Sequence, residues 1–207
     1  MASSETSERR YSIARALRLE GLTIAWLALE AAVAIGSGLA AGSLSLVAFG
    51  ADSVIELASA GLLLWRLSVE MARGEEFPEA VERRAARIGA LLLFALALYV
   101  TASAAAALWS GKGQHFSPLG LTVTAAAIPV MLWLARSKRR LAASIDSPAL
   151  RADAAEATAC ASLSAIVLLG LVAQLLWGLW WIDGATALAL VPFLVREGLE
   201  AWQEDGD

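Results

Sequence analysis

Residues 49–59 read FGADSVIELAS, and they place two carboxylates, Asp52 and Glu56, inside a stretch that is otherwise apolar. The apolar run continues outward on both sides, over 44–67. That is enough to cross a bilayer core of about 30 Å, which takes roughly 20 helical residues. Five similar runs occupy 19–39, 88–109, 119–135, 155–177 and 185–202, the last crowded at its end by Arg196, Glu197 and Glu200. Of the 207 residues, 58% are hydrophobic and 17% charged, with a mean hydropathy of +0.64. An ordinary soluble domain carries about 25% charged residues. The predicted fold is all-α: a polytopic membrane protein with six transmembrane helices and both termini on one side.

Short connections separate the runs, among them GSGLAAGS, MARGEEFPEAVERRAAR, SGKGQHFSP and RSKRRLAASIDSPALR. Residues 1–18 are expected to form an N-terminal tail, disordered at MASSETSE. Residues 19–202 form the membrane domain and 203–207 a short C-terminal tail. The first run follows Arg9, Arg10, Arg15 and Arg18, as a secretory signal would, but a signal's apolar core is only about 7–15 residues, so it reads as a retained helix.

Orientation follows from the basic residues, because Lys and Arg accumulate in short cytoplasmic loops. Of the 16 basic residues, only Lys112 falls in a connection on the opposite side from the rest. Both termini are therefore expected in the cytoplasm, with the plasma membrane of a bacterium the expected location. The basic runs need no role beyond topology, although RSKRR could meet anionic lipid. No nucleic-acid footprint is present. Trp177, Trp180 and Trp181 read as an interfacial aromatic belt.

On a helix, residues four apart share a face, so Asp52 and Glu56 project together. An ionisable group at the membrane centre costs about 2.5–3.5 kcal/mol on insertion scales, and it normally faces a partner, a water-filled cavity or an ion path. No Lys or Arg lies at comparable depth within the six runs. The compensating charge is therefore expected from outside the chain, as a proton or a metal ion. The fifth run repeats the spacing in RADAAEATACASLS, with Glu156 and Cys160 four apart. If the second and fifth helices pack together, Asp52, Glu56, Glu156 and Cys160 converge as three oxygens and one sulfur, a set that suits a tetrahedral divalent ion such as zinc. The alternatives are a hydrogen-bonded seam of protonated acids and, for Cys160, a small hydrophobe.

Glu30, midway along the first run, should also face the interior, as a fifth ligand, a proton relay or a hydrogen-bonded structural group. Asp153, beside Arg151 near the cytoplasmic end of its helix, reads as a solvated acid at a helix start, with a role in gating entry as the alternative. Gln174 and Asp183 carry little weight near the outer end, and His115 reads as a surface residue. No intramembrane His base or nucleophile–base pair is present, so an enzyme is not expected.

These residues resemble the membrane domain of the cation diffusion facilitator family, six-helix divalent metal/proton exporters that include zinc transporters. SLSLVAFGADSVIELAS is similar to the family's second helix, SPALRADAAEATACASLS to its fifth, and GLWWIDGATALALVPFLVREGLEAW to the start of its sixth. The resemblance implies that Asp52 and Glu56 take the helix-two acidic pair of the transport site. Glu156 then stands where the family has His, and Cys160 where it has Asp. A thiolate favours zinc, cadmium and other soft metals, whereas an extra carboxylate moves preference toward manganese or iron(II). The resemblance is to the short form without a cytoplasmic metal-sensing domain, so a homodimer would rest on the membrane helices. The expected partners are divalent metal ions, protons and the bilayer; the metal is substrate, and no cofactor is expected. A small organic-cation transporter and a non-transporting membrane scaffold are the other readings.

Overall fold

The computed structural model describes residues 2–73, 79–111, 113–145 and 147–203. They form six helices: α1 Ala2–Ala41, α2 Leu44–Arg73, α3 Glu79–Ser110, α4 Pro118–Ile145, α5 Pro148–Trp177 and α6 Ile182–Gln203. Five are long and apolar enough to cross a membrane. The sixth, α6, is interrupted by Arg196, Glu197 and Glu200. The described residues contain no strand.

The helices run well past the apolar segments. Helix α1 begins at Ala2, so the segment expected as a disordered tail is helical wherever it is described. It contains no proline, and no glycine before Gly21, and is rich in Arg, Ala, Leu and Glu, all good helix formers. Helix α4 continues through RSKRR to Ile145, and α5 starts at Pro148. Ser147 caps α5 by accepting from the Leu150 amide, with Pro at the first helical position, where its missing N–H is not needed. Gly178, at φ 62°, closes the other end by donating to the Gln174 carbonyl.

Helix α2 lies at the centre of the packing and touches α1, α3, α5 and α6; α4 bridges α1 and α5, and α3 lies on α6. The α1–α2 contact is close because of Gly50. A Cβ there would lie 2.7 Å from Ile35 Cγ1 and 2.9 Å from the Ile35 amide nitrogen, so no larger residue fits without moving a backbone. That approach sets Asp52 and Ser53 of α2 against Glu30 of α1. Large apolar side chains face outward, including Leu98, Trp109 and Leu169, while Ser, Thr and acidic side chains fill much of the interior. This is the distribution expected of a bundle solvated by lipid, where polar groups must be satisfied inside. Trp177, Trp180 and Trp181 are on the surface at one end, and His115 is exposed.

Two assignments from sequence are corrected by burial. Asp183 is buried and clamps the start of α2: its Oδ1 accepts from the Ser43 hydroxyl at 2.8 Å and the Ser45 hydroxyl at 2.6 Å, and its Oδ2 from the Leu44 amide at 2.6 Å. It satisfies orphan helix donors and complements the dipole. Asp153 is also buried, not solvated, because α4 extends far enough to bring Lys138 into the bundle as its ion-pair partner.

Replacing Asp183 with Ala leaves several buried donors without an acceptor. At about 1–3 kcal/mol for each orphaned buried group, the expected result is a clear fall in melting temperature of the detergent-purified protein. An unchanged melting curve would mean the clamp contributes nothing.

Candidate metal centre

Four helices bring ionisable groups to the middle of the bundle. Helix α2 supplies Asp52 and Glu56, whose four-residue spacing puts both carboxylates on its inward face. Asp52 is 1% exposed and Glu56 8%. None of their four carboxylate oxygens makes a well-formed hydrogen bond among the described residues, although the Cys160 thiol of α5 stands beside Glu56 as a donor. Buried carboxylates are ordinarily paired or hydrogen-bonded, and each unmade bond costs about 1–3 kcal/mol or more for a charged group. Four such oxygens lie together on one helical face.

Glu30 of α1 is in the opposite condition. It is fully buried, and both its oxygens are taken: Oε2 accepts from the Trp26 indole N–H at 2.6 Å, and Oε1 from the Ser53 hydroxyl at 2.8 Å and the Cys160 thiol at 3.5 Å. Of the three roles open to Glu30, this geometry suits a hydrogen-bonded group that orients its neighbours. Cys160 of α5 is fully buried and borders Glu56 and Asp52 as well as Glu30. Its Sγ thus faces the orphan carboxylates from the opposing helix.

Glu156 is placed differently. It is half-buried one turn from Cys160, and its carboxylate accepts from the Ser59 hydroxyl of α2 at 3.2 and 3.3 Å, at the margin of the α2–α5 seam. Its charge reaches Asp52. The structure therefore gathers Asp52, Glu56, Cys160 and Glu30, with Glu156 at the rim. Among the described residues, no three His, Cys, Asp or Glu side chains stand in a ready-made metal-holding group. Closing the set onto one ion requires side-chain rotation, chiefly of Glu156 away from Ser59.

Glu197 of α6 was not read from sequence as part of this centre. One of its oxygens is buried without a hydrogen-bond partner, and its charge is felt at both Asp52 and Glu56. Its neighbour Arg196 points away, into an exposed ion pair with Glu200 at 2.8 Å. The available signal was the i, i+4 spacing of Arg196 and Glu200, which pair on one exposed face and leave Glu197, one residue on, turned to another. The centre is thus built from α2, α5, α1 and α6, with an excess of negative charge.

A buried lysine lies nearby, beyond the acidic pair. A cavity of about 10 Å³ beside Glu56 and Glu156 is also lined by Lys138 and Asp153. Lys138 is, however, engaged by Glu20 and Asp153, so it does not neutralise Asp52 and Glu56 directly.

Glu197→Gln, which removes a carboxylate coupled to Asp52 and Glu56, is expected to weaken divalent-cation binding to the purified protein at least about tenfold, because charges sharing an interior of effective dielectric near 20 interact by more than about 1.4 kcal/mol. An affinity equal to that of the natural sequence would place Glu197 outside the centre.

Comparison with known families matches residues 22–204 to the cation efflux transmembrane domain. No curated protein matches the chain. The matched region contains every residue of the acidic centre and all of α2–α5.

Proposed function

The chain belongs to the cation efflux family of membrane transporters, and from that membership and its acidic centre we propose that it is a proton-coupled exporter of a divalent metal ion. Zinc is the leading substrate, with cadmium, iron(II) and manganese the related candidates. The observation that carries this reading is the burial of the Asp52 and Glu56 carboxyl groups without a well-formed hydrogen bond among the described residues, with Cys160 facing them. A divalent cation satisfies both carboxylates at once, and a thiolate beside them favours a borderline or soft ion over magnesium or calcium.

The same chemistry couples metal to protons. Carboxylates and thiolate bind metal only when deprotonated, so metal arriving from the cytoplasm displaces protons, and protons from the far side displace metal. The sign is fixed: lowering the pH on the side the centre faces loads it with protons and releases the ion. The helices alternate between the two openings, and Glu156 leaves Ser59 to join the ligand set when metal is present. Glu30 holds Cys160 and Ser53 in place. The protein acts as a homodimer through its membrane helices, with both termini in the cytoplasm of a bacterium. The space beside Glu56 has room for about one water, which favours a small ion over an organic cation. A scaffold would leave those four carboxylate oxygens without a reason.

Flux into proteoliposomes under an imposed pH gradient tests this, with zinc, cadmium, manganese, iron(II) and cobalt each offered alone. Asp52→Ala should reduce flux of the preferred metal by at least 10- to 100-fold, to about the level of empty vesicles, since even outer-shell changes at metal sites cost about that much. Normal flux in that variant would sink the central site. Cys160→Ser should lower cadmium and zinc flux more than manganese flux, and an unchanged ranking would leave the thiol a packing group.

A further inference from the structure

Lys138 is fully buried, an uncommon state for a lysine. Its Nζ lies 3.1 and 3.2 Å from the two carboxylate oxygens of Glu20 on α1 and is ion-paired to Asp153 on α5. Glu20 is itself fully buried. One ammonium on α4 therefore ties together three helices whose residues are far apart in sequence. Around it, Ala16, Leu63, Leu67, Leu141, Ala142 and Leu150 form a separate apolar cluster that packs this end of the bundle shut.

The triad's position gives it a use. It sits toward the end that carries the arginine-rich connections, while Asp52, Glu56 and Cys160 sit deeper. The cavity of about 10 Å³ lies between the two groups, lined by Lys138 and Asp153 on one side and Glu56 and Glu156 on the other, with Thr23 and Met131 completing the wall. It has room for about one water, so a hydrated ion cannot pass while the triad is closed. Two carboxyl groups share one ammonium, so a cation arriving from this end meets oxygen ligands that Lys138 satisfies only in part.

We propose that Glu20, Lys138 and Asp153 form the inner gate of the ion path, with the Lys138 ammonium holding α1, α4 and α5 together until an arriving divalent cation takes its place between the carboxylates. The inference rests on the transport reading above. In this gate the lysine is a built-in competitor for the substrate: it closes the path in the absence of metal and is displaced when metal is abundant. Loss of the pairing frees α4 from α1 and opens the cavity toward the acidic centre.

Cys160 is the single cysteine of the chain and lies fully buried at that centre, so its thiol reports when the path opens. The test is its rate of modification by a membrane-impermeant maleimide, applied separately to right-side-out and inverted vesicles. Two variants are used together. Lys138→Met removes the ammonium, and the triple variant Glu20→Gln, Lys138→Gln, Asp153→Asn removes all three charges while keeping hydrogen-bonding groups, so no buried charge is left alone to unfold the protein.

Labelling from the arginine-rich side is expected to rise about tenfold, as an open state populated at a few per cent becomes dominant, with no change from the other side. Lys138→Arg, which keeps the charge, should stay within about twofold of the natural rate, well inside that shift. Unchanged labelling in the triple variant, or an equal rise from both sides, overturns the gate. Because labelling needs no transport, its failure is distinguishable from failure of the metal reading. Asp52-dependent flux with unaltered labelling rejects only the gate, whereas one-sided labelling without metal flux keeps a gate on a path for some other cation.

Discussion

Asp52 and Glu56 turn four carboxylate oxygens to the interior of a lipid-solvated bundle, where no described residue makes a well-formed hydrogen bond to them and the Cys160 thiol stands beside Glu56 as a donor. In hydrocarbon surroundings this arrangement holds only if a proton or an ion completes it. Much of the structure answers to that constraint. Cys160 faces the pair from α5, Glu197 adds a carboxyl group from α6, and Glu30 is held by Trp26, Ser53 and Cys160, the last of which it shares with Glu56.

The packing shows how the chain keeps such a centre in register. Helix α2 carries the acidic pair and is fixed from two directions. Its start is clamped by Asp183 of α6 through Ser43, Leu44 and Ser45, and its middle is drawn against α1 by Gly50. Motion is then left to the helices around it. Helices α1, α4 and α5 meet at a buried lysine, and an ionic contact of this kind can be exchanged for another cation without repacking an apolar core. A rigid α2 with a releasable neighbouring group is a physically simple basis for alternating exposure.

What could be read from sequence was local. The helical class, the apolar runs and the paired faces Asp52/Glu56 and Glu156/Cys160 depend on spacings of a few residues, so they were legible, and so was the family resemblance. What was missed depends on contacts across the bundle. Lys138 stands in a run of basic residues that reads as a cytoplasmic loop, and its burial requires Glu20, 118 positions away, together with the continuation of α4 past residue 135. Asp183 looked peripheral because its partners lie some 140 residues earlier. Glu197 resembled the polar end of a span, and only the way α6 packs on α2 turns it inward. The spacing of Glu156 was read correctly, but its hydrogen bonds to Ser59 could not be foreseen.

The most direct measurement is equilibrium titration of the detergent-purified protein with zinc in weakly buffered solution, recording heat and proton release together, for the natural sequence and for Asp52→Asn with Glu56→Gln. The account predicts saturable binding at one site per chain, accompanied by release of protons from the acidic centre, and loss of both signals in the double variant. Binding and proton release of equal size in the double variant, or no binding of zinc, cadmium, iron(II) or manganese by the natural protein, would contradict it.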